Sequence, residues 1–333
     1  VMSPELSPSY PEYQISFENP AAYKVYVNSN EAKHSPNREN IDAVIANHKQ
    51  YDLILTIDPA IVAQCPNALM FPYGTTWLNK GHINHVDGLG KFDEEYVKEF
   101  WKDKKYDISF VCSSHYRTLE GYELRRDVWV EKSWIKPPIS FYSSTSNPVP
   151  EEGVEELPDD DKKQLFNSQF SIAIENCSAE NYFTEKLIDC FITKTVPIYF
   201  GCPNISNWFD IRGMIIIDSG DVKELIQKVN SITRITYEKM LPYIEENYKR
   251  SLEYAGSFAE RVKEKIDEAL NMENEEQKLL TIGILTLDDE ERRALLNRLL
   301  TFLNMNTKGE DKGKIEIFVN IDSPSEILPP VNE

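Results

Sequence analysis

The sequence predicts an α/β protein made of two successive units, each with a parallel sheet and flanking helices. β-rich runs alternate with stretches of helical spacing both before and after about residue 100, as in repeated βαβ units. The runs 51–57 and 107–112 are apolar enough for buried strands. With 333 residues, 41% of them hydrophobic, the chain can form two cores. We therefore expect two Rossmann-like domains facing a cleft, with ligands at the carboxyl ends of the strands.

The first unit is predicted over residues 1–102. Its last strand should stop at Pro72, a strong turn signal. Its elements are expected to be strands at 23–27, 51–57 and 68–71 and a helix at 41–48.

The second unit is predicted over residues 103–272 and contains the most regular pattern in the chain. Its elements are expected to be strands at 107–112, 139–142, 170–174, 196–200 and 214–218, helices at 119–132, 184–193 and 222–232, and a long helical region at 237–270.

Composition excludes several classes of partner. The formal net charge of −19 makes nucleic acid a poor ligand, because binding it relies on Lys and Arg, and it argues against an anionic membrane surface. The five cysteines are scattered and form no C-x-x-C pair, which predicts reduced thiols and no metal site. No apolar run is long enough to span a membrane and no signal peptide opens the chain, which favours a cytoplasmic location. The chain begins at Val1, so whether it is a piece of a longer protein stays open.

The segment 174–201 carries the clearest chemical signal. It is predicted to form a strand, a polar loop, a helix capped near Asn181, and a second strand. Tyr182, Glu185 and Lys186 would lie at the start of that helix, where free N–H groups and the Lys charge suit a phosphate. Glu185 would then face away from the phosphate, towards paired ribose hydroxyls. The alternative is a capped helix with a solvated Glu and Lys.

The same segment resembles the signature of glycosyltransferase family 10, the α1,3/4-fucosyltransferases. The family pattern is approximately F-E-N-S-x-x-x-D-Y-[IV]-T-E-K, followed further on by [VI]-P-[VI], and the spacing from Glu175 to Pro197 matches without a gap. A match over nearly thirty residues is highly specific. The departures are Ile174 for Phe, Cys177 for Ser, Asn181 for Asp and Phe183 for Ile or Val, and the charged residues Glu175, Glu185 and Lys186 are all kept.

An upstream segment, 26–36, is similar to the family element that ends in E-S-P-x-H. The resemblance implies that Glu31 is the catalytic base, although Ala32 and Lys33 stand where the family has Ser-Pro. His34 in the same loop is the alternative base, because an imidazole titrates near neutrality. Without the resemblance, Glu31 would be interpreted as a surface carboxylate.

Two further segments resemble family elements in the right order. Residues 71–74 are similar to V-P-Y-G, and residues 109–114 are similar to a strand followed by a Ser-Asn loop that contains Ser113. In the helix that follows, the family carries a phosphate-binding Arg. Its counterpart by position is Arg125, with the adjacent Arg126 as the alternative.

The resemblance implies a GT-B-like fold and inverting transfer of L-fucose from GDP-fucose to a hydroxyl of a glycan acceptor. Residues 1–102 would be the acceptor side and 103–272 the nucleotide-sugar-binding domain. No cofactor and no metal site are expected, with a divalent metal at most stimulating. The expected partners are the nucleotide sugar and the glycan, with no nucleic acid and no membrane segment. The residues implied to bind substrate are Arg125, Tyr182, Glu185, Lys186, Glu175, Asn176 and Ser113.

Three alternatives stay open. The same fold could use a different nucleotide sugar, or the chain could be an inactive glycan-binding module of a larger protein. The extension over 273–333 has its own strand–helix–strand pattern, at 280–286, 293–303 and 315–321. It is interpreted either as a tail packed on the second domain or as the start of a further GT-A-like domain.

Overall fold

The structure of the protein is a computed structural model. It describes residues 22–27, 37–72, 74–78, 92–115, 118–151, 154–158, 161–255, 258–272, 279–287 and 315–322. The strands are β1 (Ala22–Val27), β2 (Leu53–Thr56), β3 (Ala68–Met70), β4 (Lys105–Cys112), β5 (Ile139–Ser143), β6 (Glu155–Glu156), β7 (Ser168–Ile174), β8 (Val196–Phe200), β9 (Ile215–Ile216), β10 (Leu279–Leu287) and β11 (Ile315–Asp322). The α-helices are α1 (Asn37–Asn47), α2 (Pro59–Gln64), α3 (Glu94–Lys98), α4 (Glu120–Val130), α5 (Glu185–Ile192), α6 (Val222–Asn230), α7 (Thr236–Ser251) and α8 (Phe258–Met272).

The first compact unit comprises residues 1–30, 34–71 and 266–333. Its described strands form a parallel sheet in the order β11-β10-β1-β2-β3. Strand β2 is buried along its whole length, and Ile54 packs in a core with Tyr26 and Val44. Continuous burial of this kind is what the apolar run at 51–57 predicted.

The two strands near the C-terminus join this same sheet. Strand β10 pairs in parallel with β1, with Leu280 opposite Tyr23, and β11 pairs with β10. The sequence predicted an extension from residue 273 that either packs on the second unit or starts a further domain, but the described strands continue the sheet of the first unit. A pairing between residues more than 250 positions apart in the chain has no local signal in the sequence. The helix predicted over 293–303 lies outside the described residues.

The second compact unit comprises residues 31–33 and 72–265, so its main segment begins at Pro72 rather than near residue 103. Its strands form a parallel sheet in the order β6-β5-β4-β7-β8-β9. Strand β8 and most of β7 are buried, and Phe170 packs in the same core as Phe191 of helix α5. The predicted α/β class with parallel sheets is confirmed. Among the described helices, none is both long and apolar enough to cross a bilayer.

Candidate functional site

Three strands of the second unit end side by side and place polar residues at one edge of the sheet. Strand β7 lies between β4 and β8. The partly exposed Ser113 follows β4, Glu175 and Asn176 follow β7, and Gly201 follows β8. The carboxyl edge of a parallel sheet is where such folds bind ligands. Ser113, Glu175 and Asn176 all lie at this edge, and their predicted contact with substrate stays a prediction.

The loop after β7 is held closely on two sides by glycines. A Cβ atom on Gly121 would lie 1.7 Å from the Glu175 carbonyl oxygen, and one on Gly201 would lie 2.5 Å from Glu175 Cγ. The N–H of Gly121, in the first turn of α4, donates to the carbonyl of Asn176 at 3.1 Å. These contacts leave no room for a side chain at either position, so they fix the backbone of the Glu175–Asn176 loop.

Helix α5 is capped by Thr184. The Thr184 hydroxyl accepts from the N–H of Lys186 at 3.3 Å. The backbone N–H and the hydroxyl of Thr184 donate to the Glu175 carboxylate at 2.8 and 2.7 Å. The predicted cap near Asn181 is wrong. Asn181 has φ +60° and pairs with Asn204 through two 2.9 Å hydrogen bonds. Helix α5 therefore uses Thr184 and Glu175 to satisfy N–H groups that the sequence assigned to a phosphate.

A buried ionic cluster surrounds the first turn of α5. We define the ionic cluster as Lys162, Glu175, Glu185, Lys186 and Asp189. Glu185 Oε1 lies 3.1 Å from the ammonium of Lys186 and 3.3 Å from that of Lys162, and the Lys186 ammonium lies 3.8 Å from Glu175 Oε2. The Glu185 side chain is only 3% exposed, whereas that of Lys186 is 22% exposed. This burial is incompatible with the alternative of a solvated Glu at the start of the helix.

The cluster shifts the pKa values of its two glutamates in opposite directions. Burial raises the pKa of Glu185, but Lys186 and Lys162 outweigh it and lower that pKa to about 2. Burial also raises the pKa of Glu175, in this case to about 7, with Lys186 acting in the opposite direction. Glu185 is therefore a fixed anion between two cations, whereas Glu175 exchanges a proton near neutrality.

Sequence reasoning missed two members of the cluster. The Lys162 ammonium lies 3.9 Å from the centre of the Trp77 ring, a cation–π distance. Asp189 accepts from the Thr76 hydroxyl at 2.6 Å and from the Trp77 N–H at 3.2 Å, and burial raises its pKa to about 8. Asp189 could have been found, because it lies four residues after Glu185 on the same helix face. Lys162 has no comparable signal, since it follows a run of Asp residues in the sequence.

Arg125, rather than Arg126, reaches the loop after β7. Its guanidinium donates to the Ile174 carbonyl at 3.1 Å and to Asn176 Oδ1 at 2.7 Å. Arg126 is exposed and lies 3.6 Å from its neighbour Asp127. The guanidinium of Arg125 and the ammonium of Lys186 thus contact adjacent residues of one loop, Asn176 and Glu175. This places both predicted phosphate-binding cations at the same edge of the sheet.

Of the remaining predicted site residues, the structure describes Tyr182 but not Glu31 or His34. Tyr182 is 2% exposed and belongs to the buried residues of this unit, rather than offering an open ring face. Its role towards a ligand stays a prediction. Glu31 and His34, the predicted base and its alternative, lie outside the described residues. Among described residues, no three His, Cys, Asp or Glu side chains form a group that could hold a metal ion.

Most of the residues at this site lie in a segment that is similar to a known family. Residues 125–245 match the family model of the glycosyltransferase family 10 (fucosyltransferase) C-terminal domain, so the resemblance predicted from the sequence is confirmed over that segment. The chain is 33% identical over 92 residues to GDP-fucose protein O-fucosyltransferase 3 of Danio rerio. It is 36% identical over 55 residues to the alpha-(1,3)-fucosyltransferase FucT of Helicobacter pylori. These alignments span 27% and 16% of this chain but only 20% and 12% of the relatives' own lengths.

Solved structures give weaker similarities over a longer part of the chain. A crystal structure of an alpha1,3-fucosyltransferase with GDP-fucose has a TM-score of 0.46 and 18% identity, covering 78% of this chain and 77% of that one. Anabaena HepE in complex with UDP and glucose has a TM-score of 0.49 and 10% identity, covering 74% and 71%.

Proposed function

We propose that this chain, which carries a glycosyltransferase family 10 domain over residues 125–245, transfers L-fucose from GDP-fucose to a hydroxyl of a glycan acceptor. The observation that carries the proposal is the convergence of Lys186 and Arg125 on the loop after β7, beside the buried anion Glu185. Two cations at the carboxyl edge of a parallel sheet suit a diphosphate, and a fixed carboxylate suits the paired hydroxyls of a ribose. The GT-B-like arrangement of two domains is part of this proposal.

The proposed reaction is a single displacement with inversion. The acceptor oxygen bonds to C1 of fucose while the bond from C1 to the phosphate oxygen breaks, and the electron pair leaves with GDP. Glu31, as general base, takes the proton of the acceptor hydroxyl. Lys186 and Arg125 stabilise the charge that develops on the leaving diphosphate, and this is the role that a metal ion has in other transferases. Adding EDTA should therefore leave turnover largely intact.

Lys186 gives the sharpest test of this role. Replacing it with Ala should lower kcat/KM for GDP-fucose by about 10²-fold or more, because a contact made to developing charge is worth a few kcal/mol. The matched control is Lys223→Ala. Like Lys186, Lys223 is the second residue of its helix, where its N–H donates to the N-cap side chain, here Asp221, but it is exposed. Circular dichroism checks that both variants fold. Turnover of Lys186→Ala within threefold of wild type would contradict the proposal.

A donor and acceptor screen separates the proposal from its alternatives. Thermal-shift measurements with GDP-, UDP- and dTDP-sugars identify the donor, and transfer assays with glycan and protein acceptors, followed by linkage analysis, identify the product. We expect stabilisation by GDP-fucose and an inverted fucosyl linkage. Transfer from a UDP-sugar would indicate the same fold with another donor. Glycan binding with neither transfer nor donor hydrolysis would indicate an inactive glycan-binding module.

A further inference from the structure

Lys162 supplies the second cation on Glu185 and comes from outside the helix that carries the motif. It opens the 3₁₀ turn Lys162–Asn167, which leads directly into β7. Its ammonium lies 3.3 Å from Glu185 Oε1, and its side chain is 20% exposed. The Trp77 ring at 3.9 Å covers it. The proposed transfer reaction has so far given this lysine no part.

Donor binding would remove one of the two cations beside Glu185. In the structure its carboxylate shares the ammonium of Lys186 with Glu175, at 3.1 and 3.8 Å. A diphosphate bound by Lys186 would compete with Glu185 for that ammonium. A buried carboxylate without a nearby cation takes up a proton, and a protonated carboxyl has fewer acceptor sites for ribose hydroxyls.

We propose that Lys162 is a positioning residue that keeps the Glu185 carboxylate ionised and oriented while Lys186 is engaged by the donor diphosphate. This inference rests on the proposed function. The charged groups that face Glu185 among the described residues are Lys162, Lys186, Glu175 and Asp189. Burial keeps the two acids largely protonated at pH 6 and lowers the pKa of Lys162 itself. Lys162, 3.3 Å from Glu185 Oε1, is therefore the group in this set that opposes protonation of Glu185 when Lys186 turns away.

The test measures GDP affinity by isothermal titration calorimetry at pH 6, 7.5 and 9. We compare wild type with Lys162→Met, which removes the cation at similar length, and with Lys162→Arg, which keeps it. At pH 6 the Lys162→Met variant should bind GDP about tenfold more weakly than wild type, and at pH 9 within about threefold. The reason is that Glu185 without the Lys162 cation is protonated at low pH. Its ionised population grows tenfold with each pH unit below its pKa, so the difference from wild type shrinks at pH 9. Lys162→Arg should follow wild type at every pH.

Lys163→Met is the matched control, because Lys163 is the next residue and instead pairs with Asp161 at 2.9 Å. It should bind GDP as wild type does throughout the pH range. Melting curves check folding, and Lys162→Gln replaces Lys162→Met if the latter cannot be purified.

Each outcome has a distinct meaning. A loss of affinity that is equal at all three pH values would overturn the inference, since it would indicate direct contact between Lys162 and the ligand. Unchanged affinity in Lys162→Met would overturn it as well, while leaving the proposed function intact. If wild type itself does not bind GDP, the proposed function fails and the inference fails with it.

Discussion

The hydroxyl of Thr184 should make a large contribution to the stability of the second unit. In Thr184→Val, the helix loses the acceptor for the N–H of Lys186, and Glu175 loses a donor at 2.7 Å. Loss of an N-cap costs about 1 kcal/mol, and a buried carboxylate that loses a hydrogen bond costs about 2 kcal/mol. The sum of about 3 kcal/mol corresponds to a fall in Tm of about 9 °C for a unit of this size.

Thermal and urea unfolding, followed by circular dichroism, measure this change in the full chain. Thr184→Ser is the matched control, because it keeps the hydroxyl and loses only a methyl group worth about 1 kcal/mol. We expect Thr184→Val to melt at least 4 °C below Thr184→Ser. Equal melting temperatures for the two variants would refute the argument, because they would show that the hydroxyl contributes no more to stability than the methyl group does.

Two further predictions concern the arginine pair and Asp189. Arg125→Ala should weaken GDP binding at least tenfold, because Arg125 reaches Asn176, whereas the exposed Arg126→Ala should bind within twofold of wild type; calorimetry decides, and equal losses would contradict the assignment. The raised pKa of Asp189, about 8 against an ordinary 3.8, stabilises the fold at low pH, and this stabilisation is lost as the pH rises towards 8. Asp189→Asn keeps an oxygen that accepts from Thr76, but its side chain does not titrate. Its free energy of unfolding in urea should therefore fall less than that of wild type between pH 5 and pH 8. An equal fall in the two proteins would count against this prediction.

Local patterns predicted most of the second unit, and non-local contacts account for what they missed. Strand β8 was predicted at its exact bounds, because an apolar run between turn signals leaves few alternatives. The cap of α5 was misplaced because Asn181 and Thr184 are both good N-cap residues three positions apart. The structure tells them apart, because Asn181 has a left-handed backbone and pairs with Asn204, whereas the Thr184 hydroxyl accepts from the Lys186 N–H. Lys162 lies 23 positions before Glu185, so no helical or strand spacing connects the two in the sequence.

The ionic cluster also explains how a chain with a net charge of −19 can offer a site for a diphosphate. Burial gives Glu175 a pKa of about 7 and Asp189 a pKa of about 8, so below pH 7 both carboxyls hold protons. Glu185 is then the single anion of the cluster, beside Lys186 and Lys162, although burial lowers the pKa of Lys162 itself. Below pH 7 the cluster is therefore less acidic than its three carboxyl groups imply, and burial strengthens its field relative to that of the exposed acids, which water and salt screen. The acidity of the whole chain thus gives no guide to the charge at the start of helix α5, because burial favours the protonated forms of two carboxyl groups there.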